Sequence, residues 1–263
     1  MSNGEVWGSI GLAAVAACAL LTGCGSGDEH GGHAATTTRA VSSVPPQRDS
    51  TGTTTSTAPE ATVPVGEVPG NPAAAEALRP WVRDLVAGDV DQVVRKCWTI
   101  EPDNARRMYA DTDGILAAVA QPGIDGQFAV SWRGPALTVS VKRGEIASGY
   151  ACPRVAPAEA TSTFNEADAR YAVRRYLSRW VGKPVDPDDT EGRYPLVCAG
   201  SVLANNPGKL TGTTAFGDLT SNPTGISDVE VSVPVTNSSG VTRPVVFTAT
   251  IQSEGYCLTD AVG

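Results

Sequence analysis

Apolar residues recur with helical spacing in two places. Ala169, Ala172, Val173, Tyr176, Leu177, Trp180 and Val181 fall at intervals of three and four, which makes one continuous stripe along a helix. Asn165 suits the N-cap of that helix, Gly182 sits just past its end, and Pro184 follows. Arg174, Arg175 and Arg179 lie off the stripe. Earlier, Leu78, Trp81, Val82, Leu85 and Val86 repeat the theme. Pro80 interrupts this first helix or marks its true start. Gly88 ends the run, and Asp89 can cap a second short helix through Val93 and Val94. A third helical stretch is expected around Ile115 to Ala120, with Asp111 and Asp113 at its start as caps.

Strand patterns follow each helical part. Phe128, Val130 and Trp132 alternate onto one face, as do Leu137, Val139 and Val141. Further on, Val229, Val231, Val233 and Val235 alternate. Asn237-Ser238-Ser239-Gly240 turns the chain, and Val245, Phe247, Ala249 and Ile251 alternate back. Such short connections allow only antiparallel meanders. The order of features also repeats. Trp81, Cys97, strands and Gly149-Tyr150-Ala151-Cys152 are followed by Trp180, Cys198, strands and Gly255-Tyr256-Cys257. Trp to Cys is 16 residues in one half and 18 in the other; Cys to Cys is 55 and 59. The pattern predicts an α+β chain with two tandem small domains, residues 72–157 and 158–263. Each has helices packed on a curved antiparallel sheet.

The residues before 72 read differently. Ile10 to Leu21 is apolar apart from Gly11, too short to span a bilayer of roughly 30 Å but suited to the core of a signal peptide. No Lys or Arg precedes it and Glu5 does, a departure from the usual positive start. Leu21-Thr22-Gly23-Cys24 follows directly and resembles the bacterial lipobox. The resemblance implies a signal peptide over 1–23, lipidation of Cys24, and attachment to the outer face of the cell membrane by two acyl chains. From Cys24 to Asn71 the chain is rich in Thr, Ser, Gly, Pro and Ala and has no aromatic residue. Such a segment buries too little apolar surface to offset its ordering entropy, so a disordered tether is expected over 24–71. Both histidines, His30 and His33, lie in it. Nothing rigid would position them as metal ligands, and no metal or cofactor is expected.

Four cysteines remain once Cys24 is lipidated and Cys18 is lost with the signal. An even number in an exported protein points to disulfides, with three pairings open. The internal repeat favours Cys97–Cys152 and Cys198–Cys257, one per half.

The segment from Trp81 to Trp98, "WVRDLVAGDVDQVVRKCW", resembles the opening of small NTF2-like or cystatin-like domains. Exported lipoproteins of high-GC Gram-positive bacteria carry such domains behind Thr/Pro-rich tethers, and the low Lys count (four, against sixteen Arg) agrees with that source. Relatives of this kind include enzymes, carriers and interaction modules, so the resemblance carries over no catalytic residue.

Exclusions narrow the function further. No histidine occurs between 34 and 263, which removes Ser-His-Asp and Cys-His chemistry. There is no phosphate-binding Gly-rich loop. From Ala158 onward 12 acidic residues face 8 basic ones, and no basic stripe exists, so no nucleic-acid partner is expected. Asp186 to Gly192 is the densest acidic cluster. It lacks the central Gly and the twelfth-position Glu of a calcium loop, so it reads as a solvated acidic turn. Trp81, Trp132 and Trp180 fall on apolar faces, as core residues or as candidate lining of a ligand pocket. Trp98 would cover the neighbouring disulfide.

The expectation is a non-enzymatic envelope lipoprotein that binds a protein partner or a small apolar ligand. Its pocket would be apolar and lie under one helix, or be absent. The alternatives are a carboxylate-based hydrolase or isomerase, marked by two or more carboxylates converging in a concave site, and a structural spacer.

Overall fold

Asn165 closes a capping box: its side chain accepts from the Ala167 and Asp168 amides, and Asp168 accepts from the Asn165 amide. The long helix of the second half starts there. In the computed structural model, residues 63–160 and 162–263 are described. The expected signal peptide, Cys24, His30, His33 and the tether up to residue 62 lie outside the described residues. The two halves belong to one compact unit, and each has its own hydrophobic core.

The first half opens with α1 (Pro72–Val86), α2 (Val90–Lys96), α3 (Pro102–Met108) and α4 (Thr112–Val119). Asp89, Glu101 and Asp111 cap the last three, each accepting from the amide three residues on. Strands β1 (Gly123–Asp125), β2 (Ala129–Arg133), β3 (Leu137–Lys142) and β4 (Arg154–Pro157) form an antiparallel meander in that order, with the single turn α5 (Arg143–Ile146) between β3 and β4. Val130 pairs with Val141 and Trp132 with Val139, so the four side chains share the buried face.

Three expectations need correction here. Helix α1 runs through Pro80 without a break and starts at Pro72, where proline is tolerated at the first turn. Phe128 does not share the face of Val130 and Trp132. It precedes β2 and is half exposed, because the strand begins only at Ala129. The folded part also starts before residue 72. Val65 and Val68 are buried in the first core, and Gly66 is held on both sides. Its amide donates to Val119 O at 2.7 Å, and its carbonyl accepts from Trp132 Nε1 at 2.8 Å. A Cβ on Gly66 would lie 1.7 Å from the Gln121 carbonyl oxygen. No side chain fits there.

The second half places α6 (Glu166–Trp180), the short α7 (Val202–Asn205) and a 3-10 turn at Pro207–Leu210 against a five-stranded antiparallel sheet. Its strands are β5 (Thr213–Phe216), β6 (Thr220–Pro223), β7 (Asp228–Asn237), β8 (Thr242–Gln252) and β9 (Gly255–Val262). Strands β5 and β6 both pair with β7, which is followed by β8 and β9. Val229, Val231, Val233 and Val235 are buried, opposite Ala249, Phe247, Val245 and Arg243. Phe247 packs edge-to-face on Tyr176 of α6, with ring centroids 6.0 Å apart.

Disulfides join Cys97 to Cys152 and Cys198 to Cys257, the pairings that the repeat points to. Cys97 follows α2 and Cys152 lies just before β4, whereas Cys198 precedes α7 and Cys257 lies in β9. Two structural disulfides are characteristic of chains that fold outside the cytoplasm. Among the described residues no helix is long and apolar enough to cross a membrane.

Candidate functional sites

The seam between the halves is polar and closely fitted. Asn104 and Asn165 exchange amide hydrogen bonds, both at 3.1 Å. The Tyr171 hydroxyl donates to the Trp98 carbonyl at 2.7 Å. Trp98 meets Tyr194 edge-to-face at 4.8 Å, and the Arg175 guanidinium lies 5.0 Å from its ring. Trp98 thus does more than cover a disulfide; it receives the second half. Arg154 at the start of β4 holds Asp168 of α6 through a buried ion pair at 2.8 Å. Its guanidinium stacks 4.0 Å from the Phe164 ring.

A cavity of about 300 Å³ opens along this seam. Lys142, Glu145, Arg154, Phe164, Asp168 and Arg175 line it, together with Tyr194, Leu196 and the β8–β9 turn, Ser253 to Gly255. Gly255 has φ +117°, a conformation that side chains rarely adopt, and a Cβ there would lie 2.7 Å from Phe164. That glycine lets the turn close on the Phe164 ring and come within reach of Lys142 Nζ of the first half, 3.5 Å from the same Cβ position. Burial, and then the nearby Arg154 charge, pull the Lys142 ammonium down to about 8. Burial pushes the Tyr171 hydroxyl up to about 12.

Three carboxylates, Glu145, Asp168 and Glu254, converge on the cavity. Sequence reasoning found none of them, because they come from α5, α6 and the β8–β9 turn. Glu145 is buried and accepts from Thr99 Oγ1 at 2.6 Å and the Cys152 amide at 2.8 Å. Asp168 accepts from Arg154 and from the Asn165 amide. Glu254 is exposed on its turn.

A second concavity, of about 760 Å³, lies beside the C-terminal end of α6. Its walls are Tyr176, Trp180, Pro184, Pro187, Val197 and Leu203. Its polar floor is self-contained. Asp189 takes Arg175 at 2.6 Å and also pairs with Arg179, and Arg179 pairs with Glu191 at 2.6 Å. Glu191 further accepts from the Leu196 and Val197 amides, both at 2.8 Å. The acidic segment 186–192 is largely exposed, as a solvated turn would be, except at Asp189. Asp189 is 2% exposed and Glu191 pins the following chain, because two arginines off the apolar stripe of α6 need carboxylate partners.

Of the three tryptophans expected on apolar faces, Trp81 and Trp132 are fully buried in the first core, Trp81 against Tyr109 at 5.0 Å. Only Trp180 lines a groove. Asp111 caps α4, accepting from the Gly114 amide at 2.9 Å. Among the described residues no three His, Cys, Asp or Glu side chains gather to hold a metal ion.

No family model, curated protein or solved structure matches this chain.

Proposed function

We propose that the chain is a non-enzymatic lipoprotein of the cell envelope, anchored through Cys24, that binds a small apolar ligand in the groove beside Trp180. The groove carries this reading. Its volume, about 760 Å³, falls in the range of roughly 300–1,000 Å³ typical of small-molecule sites. Aromatic rings, prolines and aliphatic side chains form its walls, and the charges beside them are already paired. A ligand entering there gains burial of its apolar surface without separating an unsatisfied ion. The NTF2-like resemblance of the first half is consistent with a carrier and adds no residue to the groove.

The test is titration of the folded chain with an environment-sensitive apolar dye, followed by competition with lipid extracted from bacterial envelopes. Saturable dye binding that is lost in Trp180→Ala supports the reading. Dye binding unchanged by Trp180→Ala, or no binding, overturns it. A groove closed to dye but protected in an envelope-protein complex would instead favour a protein partner.

One observation favours a second reading, a carboxylate-based hydrolase or isomerase: three carboxylates converge in the cavity between the halves. The two buried ones already accept hydrogen bonds from protein donors, which suits a structural role better than proton transfer. Turnover of ester or glycoside substrates that is abolished by Glu145→Gln would establish that reading in place of the first.

A further inference from the structure

We infer that two concavities adjoining along the seam form one cleft for a neutral oligosaccharide, whose rings stack on Trp98, Tyr150 and Tyr194 and whose hydroxyls meet the polar side chains between them. The first is the cavity of about 300 Å³ described above. The second, of about 710 Å³, has Gln92, Arg95, Trp98, Tyr150 and Asp186 in its walls. Arg193 and Tyr194 line both, so the two meet there. Four of the six tyrosines of the chain, Tyr150, Tyr171, Tyr194 and Tyr256, lie along this cleft, together with Trp98 and Phe164. All six rings are half-buried, whereas Trp81, Trp132 and Tyr109 are fully withdrawn into the first core.

A half-buried Tyr or Trp offers a ligand an apolar body and a polar tip. Two of these tips are used within the protein: Tyr171 donates to the Trp98 carbonyl and Tyr150 to Asp84. Three are unspent. Among the described residues the Tyr194 and Tyr256 hydroxyls and the Trp98 indole N–H have no hydrogen-bond partner, and none of the three is buried. The polar contacts that close the seam, Asn104 with Asn165 and Arg154 with Asp168, do not use them. They remain available to a ligand that presents apolar ring faces and hydroxyls together, which is the chemistry of a sugar.

Charge selects a neutral ligand. Four cations in the walls are paired: Arg154 with Asp168, Arg175 with Asp189, Arg193 with Asp188 and Lys96 with Asp84. Among the described residues Lys142 and Arg95 are left without an ion-pair partner, and so are Glu145, Glu254 and Asp186. Neither sign prevails, so a formal charge would meet repulsion as well as attraction. Hydroxyls both donate and accept, and so can serve ammonium, guanidinium, carboxylate and the Gln92 amide alike. Each concavity falls in the range of roughly 300–1,000 Å³ typical of small-molecule sites, and two in a row suit more than one sugar ring. Trp180 lines neither, so the cleft does not depend on the ligand proposed for its groove.

The experiment is calorimetric and saturation-transfer titration of the intact folded chain with cellotetraose, chitotetraose and mannotetraose, with their monosaccharides, and with an anionic heparin tetrasaccharide. At least one neutral tetrasaccharide should bind in the millimolar range or tighter, and its monosaccharide at least about tenfold more weakly. Tyr194→Ala should lower the affinity at least about tenfold. Tyr194→Phe, which keeps the ring against Trp98, should lose only part of it. Gln92→Ala combined with Arg95→Ala, changes on the surface of α2, should also weaken binding and guards against a folding defect in Tyr194→Ala. Trp180→Ala should leave it unchanged. Absence of binding by all three neutral tetrasaccharides overturns the proposal. So does binding unchanged in both Tyr194→Ala and the α2 double variant, and so does tighter binding of the heparin tetrasaccharide than of any neutral one.

Discussion

Asp189, with a side chain fully withdrawn from solvent, receives the Arg175 guanidinium in two hydrogen bonds: Nη2 to Oδ1 at 2.6 Å and Nε to Oδ2 at 3.2 Å. The pair links the buried flank of α6 to the segment that leaves it. It also holds Arg175 over Trp98 of the first half. Removing one partner leaves a buried charge without a counter-charge, which costs about 3–5 kcal/mol. Asp189→Ala should therefore lower unfolding stability by that order in urea denaturation. Arg175→Met combined with Asp189→Leu, which removes both charges and leaves Arg179 its second partner Glu191, should lose less. Equal losses in the single and double variants would show that the pair is not what holds the segment.

The groove and the core make opposite use of tryptophan. Trp81 is fully buried against Tyr109, and Trp81→Ala should destabilise the chain by about 3–5 kcal/mol. Trp180 is only partly buried and lines the groove, so Trp180→Ala should cost clearly less stability while removing dye binding. Denaturation and dye titration of both variants separate the roles. A Trp180→Ala chain as unstable as Trp81→Ala would make Trp180 a core residue.

Helix α6 was legible in the sequence because its signals are local. The stripe from Ala169 to Val181, the Asn165 cap and Gly182 lie within one stretch of chain, and Gly182 adopts φ +70° past the helix end. The β7–β8 alternation was legible for the same reason. The functional surfaces were not. Asp189 is 14 residues from Arg175, and its carboxylate looked like one of several in a polar turn. One signal was available: three arginines off the apolar stripe of a helix, followed within a few residues by four acids, is a pairing pattern as well as a solvated one. The cavity between the halves had no such signal. Lys142, Asp168 and Glu254 come from three elements, brought together only by tertiary packing. Val65 and Val68 were hidden because two valines in a Pro/Gly-rich stretch show no period, and their burial depends on the Gly66 contacts with Val119 and Trp132.

The disulfides should act separately. Each closes a long loop, 55 residues for Cys97–Cys152 and 59 for Cys198–Cys257, and the chain-entropy model assigns about 4 kcal/mol to each. Cys97 and Cys152 join segments of the first half, whereas Cys257 lies in β9 beside the cavity. Replacing either pair with Ala should lower the thermal midpoint. Only loss of Cys198–Cys257 should loosen the β8–β9 turn, read as faster amide exchange at Gly255 and Tyr256. Faster exchange there after loss of Cys97–Cys152 alone would contradict the assignment.

The proposed attachment at Cys24 has a simple genetic test. Cys24→Ala in the producing cell should give an uncleaved precursor or release the protein to the medium, because on that proposal two acyl chains would account for stable retention. Unchanged processing and unchanged membrane retention would remove the lipoprotein reading and leave the folded halves as they are.

Stability should rise with pH across the window set by Lys142. Burial, then Arg154, lowers the folded-state ammonium to about 8, while the unfolded lysine keeps its ordinary value near 10.4. Between those values the unfolded chain holds a proton that the folded chain has released. Stability then increases with pH, at most by about 1.4 kcal/mol per pH unit. Below pH 8 both states are protonated and the full cost of burying the charge remains. The groups that act on Lys142 are Arg154 and Arg175, which lower it, and Glu145 and Glu254, which raise it. Tyr109, Tyr150 and Tyr171 are all raised by burial, and their opposite contribution begins only near pH 10, where unfolded tyrosine ionises. Urea denaturation at pH 7.5, 8.5 and 9.5, comparing wild type with Lys142→Gln, isolates the effect. The wild type should gain stability relative to the variant as pH rises. Parallel pH profiles for the two would mean that Lys142 keeps an ordinary ammonium in the folded chain.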